Sequence, residues 1–159
     1  MKQIVFDIEA NGLNPDKVWC IIAYLRESKE YMEWSGANLH CFKDWITEQK
    51  EELEVIGHNI IGYDIPVLER LLDVDFSKCK VTDTLVMSRL AEPSRLGGHS
   101  LENWGQLLNQ PKGEHSDWNN FSQDMVEYCK QDVRVNELVY HTLLNPLSWF
   151  GDESLHLEH

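Results

Sequence analysis

Positive charge is scarce in this sequence: 14 lysines and arginines stand against 27 aspartates and glutamates, a formal net charge of −13 over 159 residues. Proteins that hold long duplexes use basic tracks that release counterions from phosphates, so the chain's own grip on long nucleic acid is expected to be weak. The acidity leaves three readings: carboxylates serving as metal ligands and offset by the ions, a basic partner or fused domain that carries the nucleic acid, or a solvated acidic surface. Cysteine is sparse as well. Cys20, Cys41, Cys79 and Cys129 form no CxxC pair, which speaks against a zinc site and for reduced thiols without a disulfide. No run of eighteen apolar residues occurs, and the N-terminus lacks the ordered charged segment, apolar core and cleavage site of a secretory signal. A cytoplasmic protein without a membrane span is therefore expected. Internal repeats and low-complexity stretches are also lacking.

Apolar residues make up 42% of the chain and are spread along all of it, which fits one compact domain with its own core. That domain is expected over residues 1–145, followed by a tail or linker at 146–156. Leu157, Glu158 and His159 read as a tag remnant.

Lys2 to Ile8 (KQIVFDI) reads as a buried strand, and Val18 to Leu25 with Glu30 to Trp34 as a hairpin beside it. Leu39, Phe42, Trp45 and Ile46 recur at helical intervals within a predicted helix over 39–50. Residues 55–57 form a short strand. A helix follows over 64–72, where Pro66 is tolerated only in the first turn. Residues 80–82 are the last strand, with Asp83 as the cap of a helix over 84–91. Segments 101–108 and 121–144 complete the helices. Strands first, then helices alternating with strands, give an α/β fold: a mixed sheet covered on both faces.

Three local patterns carry chemistry. Asp7 and Glu9 are separated by one residue where a hydrophobic strand ends, so both side chains face the same way and can converge on one ion, with a turn or cap as the alternative reading. The stretch His58-Asn59-Ile60-Ile61-Gly62-Tyr63-Asp64 is a polar loop that brings a carboxylate to a helix entrance, where capping alone also accounts for it. Tyr128 and Asp132, four residues apart, share a face of the long helix and can address one site, the alternative being a half-buried core tyrosine with a solvated aspartate. Hard oxygen ligands of this kind suit Mg²⁺ or Mn²⁺.

The DxE at 7–9, the HNxxxYD at 58–64 and the YxxxD at 128–132 resemble, in order and spacing, the three exonuclease motifs of the DnaQ-like, or DEDD, superfamily. The segments DIEANGL, DTLVMSRL, GGHSLENWG and WNNFSQDMVEYCKQDV are similar to the proofreading domain of the single-subunit family A DNA polymerases of podoviruses, over residues 3–144. Tyrosine four positions before the last carboxylate, with Glu127 where another branch has histidine, marks the DEDDy branch. Polymerase palm, fingers and thumb segments are missing from the sequence in hand, and Pro111 to Ser116 is short where relatives carry longer loops.

The resemblance implies a ribonuclease H-like three-layer α/β/α fold with a mixed five-stranded sheet and a 3′–5′ exonuclease of phage or bacterial origin acting on DNA 3′ ends, single strands preferred. It implies two divalent ions, Mg²⁺ or Mn²⁺, about 3.5 to 4 Å apart. Asp7 would bridge them, Glu9 and Asp132 would complete the first, and Asp64 would reach the second through water. Tyr128 would orient the attacking water, since a phenol with an ordinary pKa of about 10 is a poor base at neutral pH. Ala10, Asn59 and His99 are the candidate substrate contacts, Asn59 with a turn-closing role as its alternative; His58 is assigned to structure. Of the six tryptophans, most are assigned to the core. A DNA polymerase domain or subunit is the implied partner. An RNA-directed exonuclease of the same fold and a non-catalytic nucleic-acid-binding subunit are the alternatives.

Overall fold

The computed structural model describes residues 1–111 and 113–145; the expected tail, the tag remnant and Trp149 lie outside the described residues. Five strands, β1 (Lys2–Ala10), β2 (Val18–Leu25), β3 (Glu30–Ser35), β4 (Leu53–Gly57) and β5 (Lys80–Asp83), form one sheet in the order β3-β2-β1-β4-β5. The hairpin strands pair antiparallel, while β4 lies parallel to both β1 and β5. Helices α1 (Cys41–Thr47), α2 (Ile65–Leu72), α3 (Thr84–Ala91), α4 (Leu101–Leu107) and α5 (Gln123–Leu144) flank it. The fold is thus the expected α/β sandwich with a mixed five-stranded sheet. None of the helices among the described residues is long and apolar enough to cross a membrane.

The two-residue period of β1 divides the core. Ile4, Phe6 and Ile8 enter one layer with Phe42 and Ile46 of α1 and Val67 and Leu68 of α2. Val5 enters the other with Met125, Val126, Cys129 and Val133 of α5. Phe6, fully buried, sits with ring centroids 6.2 Å from Phe42 and 6.1 Å from Phe76. Truncating such a side chain to alanine costs about 3–5 kcal/mol. Asp7 and Glu9 continue the Val5 face, so the same alternation that builds the core aims both carboxylates toward α5.

Two boundaries differ from the sequence reading in ways that matter. β1 runs on to Ala10 because β2 stays paired with it, Glu9 opposite Cys20 and Ala10 opposite Val18, a register that skips Trp19 as a bulge. On its other edge β1 pairs with β4 only up to Val5 opposite Ile56. The C-terminal half of β1 therefore has one open edge. The helix expected over 39–50 is shortened to Cys41–Thr47, preceded by a single 3₁₀ turn at Gly36–Asn38.

Candidate active site

The open edge of β1 is where the second motif arrives. The Ile8 N–H, which no strand receives, donates to the Asp64 carboxylate at 3.2 Å. Asp64 is 3% exposed and closes a π-type turn over Ile60–Asp64 before α2 begins. Its side chain caps no helix, so the capping alternative for this residue fails. Burial, the charge of Asp7 and a hydrogen bond with the Asp7 side chain hold the Asp64 carboxyl well above its ordinary 3.8. Two carboxyl groups bonded to each other need a proton or a cation between them.

Asp7 is half-buried and Glu9 8% exposed. Ligand atoms of Asp7, Glu9 and the Cys129 thiol all lie within 4.8 Å of one another. Cys129, on α5, approaches the Asp7 carbonyl at 3.5 Å and its Oδ2 at 3.7 Å. Burial, the adjacent Cys20 thiol and the charges of Asp7 and Glu9 push the Cys129 thiol well up, so it remains a protonated donor. Asp132, 5% exposed, follows one helical turn after Tyr128 and stands outside that tight group. The donors are mostly hard carboxylates of net negative charge at a partly exposed strand edge, which fits a divalent cation of the Mg²⁺ or Mn²⁺ type.

Tyr63 stands beside the carboxylate cluster. Burial and the charges of Asp64, Glu9 and Asp7 push its phenol up to about 12, against a smaller opposing effect of Arg70. It stays protonated and donates to the Gly12 carbonyl at 2.6 Å. The 11–17 loop is fixed from within by Asn11, whose side chain binds Asp16 and the Lys17 amide, and from outside by Arg70 on the Pro15 carbonyl. Leu13 projects from its tip, 95% exposed. Between this loop, Tyr63, Glu9, Ala10 and Trp118 lies a cleft of about 420 Å³.

Asn59 is exposed and in the left-handed region at φ 62°. Its amide oxygen lies 2.7 Å from where a Cβ on Gly62 would be, so glycine lets the turn close over it. Asp83 holds this loop: its carboxylate accepts from Asn59 N at 2.8 Å, Ile61 N at 3.1 Å and Leu85 N at 2.9 Å. The Leu85 bond is the expected cap of α3. The other two, which organise the second motif, have no local signal in the sequence.

His58 is structural, as expected: Nε2 donates to the His99 carbonyl at 2.7 Å and Nδ1 lies 2.8 Å from Thr84 Oγ1. Thr84 in turn accepts from buried Asn136 of α5 at 2.9 Å. His99 is half-buried, its Nδ1 2.6 Å from Ser88 Oγ, which also accepts from the Trp104 indole. One polar chain thus runs from α5 to the loop that bears Asn59.

Tyr128 is half-buried at the α5 surface. The Trp118 ring meets it edge-on at 5.4 Å and 76°, and His115 stands 6.1 Å away. Neither neighbour follows from sequence spacing.

No family model matches the sequence. The DNA-directed DNA polymerases of Escherichia phage T7 and Enterobacteria phage T3 are each 28% identical to it over 194 aligned positions, covering 94% of this chain. The chain spans 28% of the length of these relatives. Among solved structures, NrnC of Brucella melitensis is similar at TM-score 0.65 and 20% identity, over 89% of this chain and 71% of that one. A form of it with bound Mg²⁺ gives 0.64 and 21% over the same shares. The catalytic core of RRP6 from Trypanosoma brucei gives 0.62 and 17%, over 89% and 40%. This sheet order and these neighbours give the chain a ribonuclease H-like α/β fold, and its sequence is similar to part of the phage T7 and T3 DNA polymerases.

Proposed function

We propose that the chain removes nucleotides from DNA 3′ ends in the presence of divalent metal, acting on single strands or frayed termini and releasing nucleoside 5′-monophosphates. The observation that carries this reading is the Asp7–Asp64 carboxyl pair beside Glu9, at the edge of a cleft. Asp7, Glu9, Asp64 and Asp132 are the assigned ligands of two ions, and the Mg²⁺ described for NrnC supports the type of metal. Bound there, such ions lower the pKa of the attacking water and offset charge on the departing 3′ oxygen.

The chain's own residues supply the rest. Tyr128 orients the water, its hydroxyl held in place by the aromatic packing around the ring. The cleft of Ala10, Leu13, Tyr63 and Trp118 receives the terminal nucleotide, with apolar and aromatic surface suited to a base. Asn59 and His99 are the remaining assigned substrate contacts. DNA as substrate is supported by the polymerases named above. A basic polymerase domain or subunit that presents the 3′ end fits a chain of net charge −13.

The test is digestion of a 5′-labelled single-stranded DNA oligomer, beside its RNA counterpart, with Mg²⁺ or Mn²⁺. A ladder shortening from the 3′ end of DNA, absent with EDTA or in Asp7→Ala, is expected. A folded protein that cleaves nothing would point instead to a binding subunit, and faster loss of the RNA to an RNA-directed enzyme.

A further inference from the structure

Trp118 has two neighbours that the proposed reaction treats separately. One edge of the indole packs against Tyr128 at 5.4 Å and 76°. The same side chain lines the cleft that contains Glu9, Ala10, Leu13 and Tyr63. His115 backs it with a ring centroid 4.7 Å away at 72°. The segment is anchored at this residue, since the Trp118 carbonyl accepts from the Trp19 indole at 2.9 Å, and Trp19 occupies the bulge of β2 opposite the end of β1. The His115 ring is fixed in turn, its Nε2 2.6 Å from the Asp117 carbonyl.

We propose that Trp118 is a positioning residue through which a nucleotide in the cleft seats Tyr128. The inference rests on the exonuclease reading above. An empty cleft leaves one side of the indole facing solvent, and Trp118 is half-buried. A base in the cleft replaces that solvent with a stacking partner, and edge-to-face packing transmits the restraint to the phenol. Tyr128 lines the solvent-facing side of α5, beside the exposed Glu127 and Gly113, where Trp118 and His115 pack against its ring. In this arrangement Trp118 contributes to turnover by way of the Tyr128 hydroxyl, and to substrate affinity by its own face.

Steady-state digestion of the labelled DNA oligomer by the whole chain separates these two contributions. Trp118→Ala is expected to lower kcat about tenfold and raise KM, with Trp118→Phe restoring kcat to within about threefold of wild type. Added to Tyr128→Phe, Trp118→Ala should raise KM again but leave kcat where Tyr128→Phe alone puts it. A full tenfold further drop in kcat would overturn the proposal. A readout that needs no turnover is the ¹⁹F spectrum of protein labelled with 3-fluorotyrosine, in which five tyrosines give five resonances. Tyr128 is assigned by Tyr128→Phe. Titration with thymidine 5′-monophosphate should shift the Tyr128 resonance in wild type and Trp118→Phe and leave it unmoved in folded Trp118→Ala. An unmoved resonance in wild type under saturating nucleotide overturns the coupling, even with strong digestion; a protein that digests nothing while the resonance shifts overturns the exonuclease reading and leaves the coupling standing.

Discussion

Asp83 reaches back 24 residues to accept the Asn59 amide at 2.8 Å, so the end of the last strand sets the shape of the loop that delivers Asp64. The same carboxylate accepts from Ile61 and Leu85. Asp83→Ala is expected to cost about 1–3 kcal/mol, because three partly buried N–H groups lose a charged acceptor at once. Denaturant unfolding measures it, and Asp83→Asn, which keeps one good acceptor, should fall between wild type and alanine. A loss below about 0.5 kcal/mol would mean that the loop holds itself.

Metal-free stability should depend on pH through Asp64. Its folded-state pKa is raised, so stability linked to its proton is full below the ordinary 3.8 and is lost as pH rises through the folded value. Asp64→Asn removes that loss while its amide can still meet both Asp7 and the Ile8 N–H. In EDTA at pH 8 the variant should melt roughly 3–6 °C above wild type, with the gap closing toward pH 4, while its nuclease activity falls at least about a hundredfold. A variant that melts lower at pH 8 would locate the strain elsewhere.

At the opposite end of the sheet the sign reverses. Burial alone would raise Glu54, but hydrogen bonds from Thr82 and Gln3, with Lys80 and Arg26 nearby, bring it below its ordinary 4.5. Its stability contribution is present above the unfolded value and lost as pH falls through the folded one. Glu54→Gln should be about 1 kcal/mol less stable than wild type at pH 7, and the difference should shrink below pH 4. Thermal melts across that range decide it; a constant difference would rule out titration of Glu54 as the cause.

Asn136→Ala should cost about 1–3 kcal/mol, since Thr84 loses a buried donor. Thr84 also positions His58, so hydrogen exchange at the 58–61 amides should quicken in the same variant. Exchange unchanged despite the lost stability would show that α5 and this loop are not coupled.

Much of this was legible in the sequence because it depends on period. β1 alternates, so Asp7 and Glu9 had to share a face with Val5, and the helical spacing of Tyr128 and Asp132 put both on one side of α5. Asp83 could be read as a cap, because the Leu85 N–H is two residues away. Its bonds to Asn59 and Ile61 could not, since they depend on β4 and β5 ending side by side, Gly57 opposite Asp83. Asp64 looked like a helix-entrance residue, yet its partner is the amide of Ile8 on another strand. No local pattern separates Trp118 from the other tryptophans, and only the tertiary fold brings it to Tyr128 and the cleft. Local pattern fixes which face a side chain takes; contacts between distant segments need the fold.

The early end of β4 has a last consequence. From Phe6 onward one margin of β1 is a notch in the sheet, filled by Asp64 and not by a neighbouring strand. The reactive groups thus occupy a position that the hydrophobic layers do not depend on. Neutral replacements there can abolish chemistry while the scaffold survives, so a copy of this gene that lost its carboxylates would still encode a folded protein that keeps the cleft. Catalytic decay and structural decay are separable in this architecture, and inactive descendants that persist as binders are what it permits.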